Sequence, residues 1–140
     1  MYLYIKKQMK GDEMAKNIKN FSLVGSAFPA SIEKYSYIIK EGRLFYDETV
    51  YLEKGYKQIK IELEINNDIC NKIENLTKDW KDEYTYENLQ HSSNILDGFS
   101  WEMNIEYNDK TNRHIEGNEE YPDNYDELIL FLKKVINTEK

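Results

Sequence analysis

The chain is short of the residues that staple a fold or carry out common chemistry. It has one cysteine, Cys70, which excludes an internal disulfide framework and a zinc cage built from cysteines. Its six glycines are scattered, and none falls in a Gly-x-Gly-x-x-Gly or Walker arrangement, so no phosphate-cradling loop is encoded. With only two prolines there is no Pro-rich linker, and no low-complexity tract or internal repeat is present. His91 and His114 are the only side chains that titrate near neutrality without perturbation. No apolar run approaches the length needed to cross a bilayer, and the first residues lack the apolar centre of a signal peptide. The expectation is a cytoplasmic protein with no membrane partner.

What the chain does have is core material and unevenly placed charge. At 140 residues, 40% hydrophobic and 14% aromatic, it suits a single folded domain and is too rich in core formers to be disordered. The formal net charge is -7. Residues 1–60 carry eleven basic against seven acidic side chains, and residues 61–140 carry eight against nineteen, balances of +4 and -11. Such a molecule is electrically polar, which favours basic partners and disfavours direct nucleic-acid binding. The plainer alternative is that an acidic surface keeps a small protein soluble. Lysine outnumbers arginine 17 to 2, and Asn and Ile are abundant, as A/T-rich codons produce. Lys10-Gly11-Asp12-Glu13 can be encoded as a ribosome-binding site just ahead of Met14. The expected domain is therefore 14–140, with residues 1–13 an upstream extension; the rival reading is a short first strand over Tyr2 to Ile5.

Strand signals dominate the first half. Phe21 to Gly25 is short and partly alternating, and Phe28-Pro29-Ala30-Ser31 breaks it. Tyr35, Tyr37 and Ile39 recur at every second position, Glu41-Gly42-Arg43 turns the chain into Leu44-Phe45-Tyr46, and Thr49 to Leu52 follows before a break at Gly55. From Gln58 to Ile65, Ile59, Ile61, Leu63 and Ile65 alternate with polar residues, which gives one wet face and one dry one. Asn66-Asn67-Asp68 caps a helix expected over Asp68 to Trp80, with Ile69, Ile73, Leu76 and Trp80 along one side. Lys81 to Asn94 has no pattern and reads as a loop. Trp101, Met103, Ile105 and Tyr107 then share the face of a strand, Asn108 to Thr111 turns, and Asn112 to Glu116 returns as far as Gly117. In the last helix Asn124 and Glu127 have capping-box spacing, and Leu128, Phe131, Leu132, Val135 and Ile136 form the apolar stripe. The order predicts an α+β fold: an antiparallel sheet of about five or six strands with two helices packed on one face.

Asp97-Gly98-Phe99-Ser100-Trp101, a second strand ending at Gly117, and Tyr121-Pro122 opening a helix resemble a pattern in small uncharacterised hypothetical proteins of low-GC Gram-positive bacteria and their phages. The resemblance covers about the last 45 residues. It implies a fold element and a kind of source, and brings no activity with it. Glu119-Glu120 departs from the pattern, in which that turn carries less charge.

No catalytic constellation stands out, and the expectation is that the chain is not an enzyme. His114 and Glu116 share a strand face and could act as a general-base pair, but no nucleophile is placed beside them; a solvent-facing pair is the plainer reading. Asp123, Asp126 and Glu127 offer hard oxygen ligands without the calcium-loop order, and helix capping already explains them. Neither a metal nor a cofactor is expected. The feature with binding potential is the acidic, tyrosine-interleaved run Glu116, Glu119, Glu120, Tyr121, Asp123, Tyr125, Asp126 and Glu127. It suggests a small non-enzymatic protein that inhibits a basic, nucleic-acid-processing partner, of the toxin-immunity or phage anti-defence kind. The alternative is a small-ligand protein, for a nucleotide signal, that uses the strand tyrosines Tyr35, Tyr37, Tyr46 and Tyr51.

Overall fold

Alternation decides which way each strand residue points, and register decides what it meets. The computed structural model describes residues 17–27, 33–85 and 99–138. Within them lie β1 (Ile18–Ala27), β2 (Glu33–Lys40), β3 (Arg43–Leu52), β4 (Gly55–Glu64), α1 (Asn67–Thr77), β5 (Glu83–Thr85), β6 (Phe99–Tyr107), β7 (Asn112–Asn118) and α2 (Tyr125–Thr138). The strands make one sheet in the order β4-β3-β2-β1-β6-β7-β5. Every pairing is antiparallel except that of β5 with β7.

The α+β class stands, while over the described residues the sheet has seven strands and is mixed rather than having five or six antiparallel ones. The unforeseen strand is β5, three residues inside the stretch expected to be a loop. It has no periodicity to betray it, because it forms only where the chain leaving α1 runs along the free side of β7. Leu44–Tyr46 and Thr49–Leu52 are parts of one strand, and the break expected at Gly55 is the turn Glu53-Lys54, after which Gly55 (φ 115) opens β4. The turn at Glu41 (φ 54) and Gly42 (φ 75) is the two-residue, doubly left-handed kind that matches strand twist. Residues 1–16, 28–32 and 86–98, with the expectations made for them, lie outside the described residues.

One face of the sheet is dry. Phe21 lies between Ile39 and Ile105, and the row continues through Leu44 to Leu63. The next row runs Ile61, Tyr46, Tyr37, Leu23, Met103, Ile115. Ile73 and Leu76 of α1 and Leu128, Leu132 and Ile136 of α2 join the same buried cluster, so both helices cover this face. Full burial of each such side chain is worth about 1.5–3 kcal/mol. Phe131 and Val135 are only half-buried at the edge of the stripe.

The two helices are tied at their facing ends. Asn66 caps α1 by accepting from the Asp68 amide at 3.0 Å. At the other end α1 has no basic residue in its last turn. Its C-cap is Lys78, and beyond the helix Arg113 of β7 donates to the Trp80 carbonyl at 3.1 Å, tying the chain that leaves α1 to the sheet. Asn124 does not serve as the side-chain cap its spacing suggested. Its amide nitrogen donates to the Leu76 carbonyl at 2.6 Å, and its oxygen accepts from the Trp80 indole at 2.6 Å. A local motif gave way to a long-range tie because a buried indole N–H and a helix-end carbonyl both needed partners.

Gly117 does not end its strand. It sits opposite Trp101 in the ladder, and a Cβ there would overlap the indole ring. Gly117→Ala is therefore expected to lower unfolding stability by at least about 1–3 kcal/mol, the usual range for overpacking, when measured by urea denaturation; an unchanged midpoint would contradict this packing.

Candidate functional site

The alternation that builds the core also gathers tyrosines at one corner of it. Tyr35, Tyr37 and Tyr46 share the helix-covered face of β2 and β3, and Tyr121 and Tyr125 arrive from the connector into α2. Between them is a cleft of about 480 Å³, completed by Glu48, Asp126, Ile129 and Lys133. That volume falls within the ordinary size of small-ligand sites. The rings form a chain: Tyr46 to Tyr37 at 4.9 Å, Tyr37 to Tyr35 at 5.8 Å, and Tyr121 to Tyr125 at 4.8 Å between centroids. The Tyr35 and Tyr125 hydroxyls close the gap at 2.6 Å, and the Tyr46 hydroxyl donates to Glu48 at 2.7 Å.

Trp101 supports this wall from behind. Its ring meets Tyr125 at 5.0 Å, Trp80 at 5.9 Å, Tyr84 at 6.0 Å and Tyr121 at 6.3 Å, the last nearly parallel at 10°. Its indole N–H donates to the Glu120 carbonyl at 2.9 Å, which fixes the connector in place. Tyr125 also stacks on Trp80 at 6.1 Å and 21°.

The eight residues of the acidic run do not form one surface. Tyr125 is a core residue, only 4% exposed. Glu116 points to the other, open face of the sheet. There it shares a row with Glu102 and Glu83, beside His114, whose Nε2 is 3.4 Å from the Glu116 carboxylate and whose Nδ1 is 2.7 Å from the Asn104 oxygen. The other six, Glu119, Glu120, Tyr121, Asp123, Asp126 and Glu127, follow one another along the connector and the first turn of α2, and of these Tyr121 and Asp126 line the cleft. Glu119 (φ 62) and Glu120 are half-buried; Asp123, Asp126 and Glu127 are exposed. Tyr121 is 40% exposed. Desolvation, then the charges of Asp126 and Glu119, raise its hydroxyl pKa.

Of the strand tyrosines, Tyr51 is apart from the cleft and pairs with Tyr56 at 6.1 Å where β3 turns into β4. Glu48, Glu83 and Glu102 were not singled out from the sequence. Glu48 shares its strand face with Tyr46, a signal that was available; the Glu83–Glu116–Glu102 row needs the register of β5, which no pattern announces. His91 lies outside the described residues. Cys70 is half-buried, and burial raises its thiol pKa, opposite to what a reactive thiolate requires. Among the described residues no group of three His, Cys, Asp or Glu side chains is placed to hold a metal ion, and no described helix is long and apolar enough to cross a membrane. Comparison with protein-family models, with curated proteins and with solved structures finds no match for the chain.

Burial, followed by the neighbouring Tyr35 hydroxyl, pushes the Tyr125 pKa far above its ordinary value of 10.0. The folded protein keeps this phenol neutral, whereas the unfolded chain ionises it, so its stabilising contribution is complete below about pH 10 and declines as pH rises beyond that. Urea midpoints are expected to fall on the alkaline side of about pH 10, and less steeply in Tyr125→Phe. An identical alkaline slope in the Phe variant would show that Tyr125 is not held this way.

Proposed function

We propose that this protein binds and inhibits a basic macromolecular partner, one that processes nucleic acid, and that it acts without catalysis, as a toxin-immunity or phage anti-defence protein would. The observation that carries the reading is the convergence of five tyrosines with Glu48 and Asp126 on one cleft, bordered by the acidic connector. Tyrosine faces attract a lysine or arginine side chain by about 0.5–2 kcal/mol according to exposure. Carboxylates at the mouth steer a cationic partner toward them. Glu119, Tyr121, Asp123 and Asp126 are the residues assigned to contact; Tyr125 holds the wall, and Glu116 belongs to a separate face. Glu120, half-buried and outside that set, adds field without needing to touch the partner.

A second reading uses the same cleft for a small ligand. Its support is Lys133, the cation on the wall, which could meet a phosphate while the tyrosines stack a base. The two readings differ in sign: a cationic side chain is repelled by Lys133 and held by Asp126, and a nucleotide the reverse.

The immobilised protein is expected to retain basic nucleic-acid-binding proteins from a bacterial lysate at low salt and to release them as salt rises. The triple variant Glu119→Lys, Asp123→Lys, Asp126→Lys should lose that set while circular dichroism shows it folded, its melting temperature lowered only by the acids it gives up at the start of α2. Equal retention by the variant would remove the first reading. A rise in melting temperature with nucleotide, abolished by Lys133→Ala, would establish the second in its place.

A further inference from the structure

The two borders of the sheet differ in length and in protection. Among the described residues β5 is a three-residue border, too short to template further pairing. β4 is a ten-residue border, Gly55–Glu64, paired to β3 in unbroken register, without proline or bulge. Its backbone directions follow from one contact. The Ile65 amide donates to the Gly42 carbonyl at 3.0 Å, so residues of odd number along β4 direct N–H and C=O to β3. Tyr56, Gln58, Lys60, Glu62 and Glu64 therefore direct theirs outward, where no described strand meets them.

We propose that β4 pairs antiparallel with β4 of a second copy about a two-fold axis through Ile61, so that two sheets join into one. The charges along the strand choose this register. Centring the axis on Lys60 sets Lys60 against its own copy, and centring it on Glu62 sets two glutamates face to face; both are unfavourable directly across a ladder. Centring it on Ile61 sets Lys60 opposite Glu62 and Glu62 opposite Lys60, both as hydrogen-bonded pairs of outward-directed residues. On the helix side the same register sets Ile61 against Ile61 and Ile59 against Leu63 of the second copy. Ile59, 36% exposed in the single chain, thereby gains an apolar neighbour. The surface is self-complementary, as a two-fold interface requires.

The test exploits the charge pairing. The wild-type chain is expected to scatter light as a particle of twice 16.8 kDa. Lys60→Glu faces Glu62 with a like charge, and Glu62→Lys faces Lys60 with one, so each variant alone should run as a 16.8 kDa monomer. An equimolar mixture restores both opposite-charge pairs and should return to the doubled mass, with a tag on one variant retaining the other. Among the described residues the side chains concerned make only exposed ion pairs, Lys60 to Asp47 at 3.9 Å and Arg43 to Glu62 at 2.7 Å, so circular dichroism should show both variants folded. A monomeric wild type overturns the proposal, as does a dimer that survives either substitution or a mixture that stays monomeric.

Discussion

Trp101 lies across β7 where residue 117 has no side chain, and from that contact the indole reaches four other aromatic rings and the carbonyl of Glu120. The arrangement joins the sheet, the end of α1 and the start of α2 at one place. Trp80 is drawn into it edge-on, and Trp80 in turn donates to Asn124, whose amide holds the Leu76 carbonyl. Each of these polar atoms is partly or fully removed from water, so its partner matters more than it would on the surface. The position of α2 relative to the sheet, and with it the tyrosine cleft, depends on this cluster more than on the capping of either helix.

What could be read from the sequence was whatever repeats at a fixed period. The alternation through Trp101, Met103, Ile105 and Tyr107 named a buried strand face, and the stripe through Leu128, Leu132 and Ile136 named a buried helix face; along β4 the dry face holds only at Leu63, with Ile61 half-buried and Ile59 exposed at the sheet border. Register was not legible, since no local pattern says that Trp101 must face Gly117 or that Glu83 runs beside Glu116. Asn124 misled for a related reason. Its spacing to Glu127 is a real local signal, but two buried groups forty-four and forty-eight residues away compete for the same amide and win.

The candidate site was legible in part and for the same reasons. The tyrosines at every second position of β2 share a face, as their spacing required, and the cleft they line also needs Tyr46, Tyr121 and Tyr125 from elements far apart in sequence. The acidic run divides because a strand and a helix start expose side chains differently: β7 sends Glu116 to the open face, while Asp126 lines the cleft with Tyr121. Charge counted along the chain predicted an acidic half of the molecule; only the pairing of strands says which face each carboxylate occupies.

The most direct measurement is a double-mutant cycle between Trp80→Phe and Asn124→Ala, read by urea denaturation. If the indole–amide contact anchors the two helices, the single losses are non-additive, with a coupling of about 1 kcal/mol or more. Losses that simply add, to within about 0.3–0.5 kcal/mol, would mean that the helices are held independently and that the cluster around Trp101 does not organise the cleft.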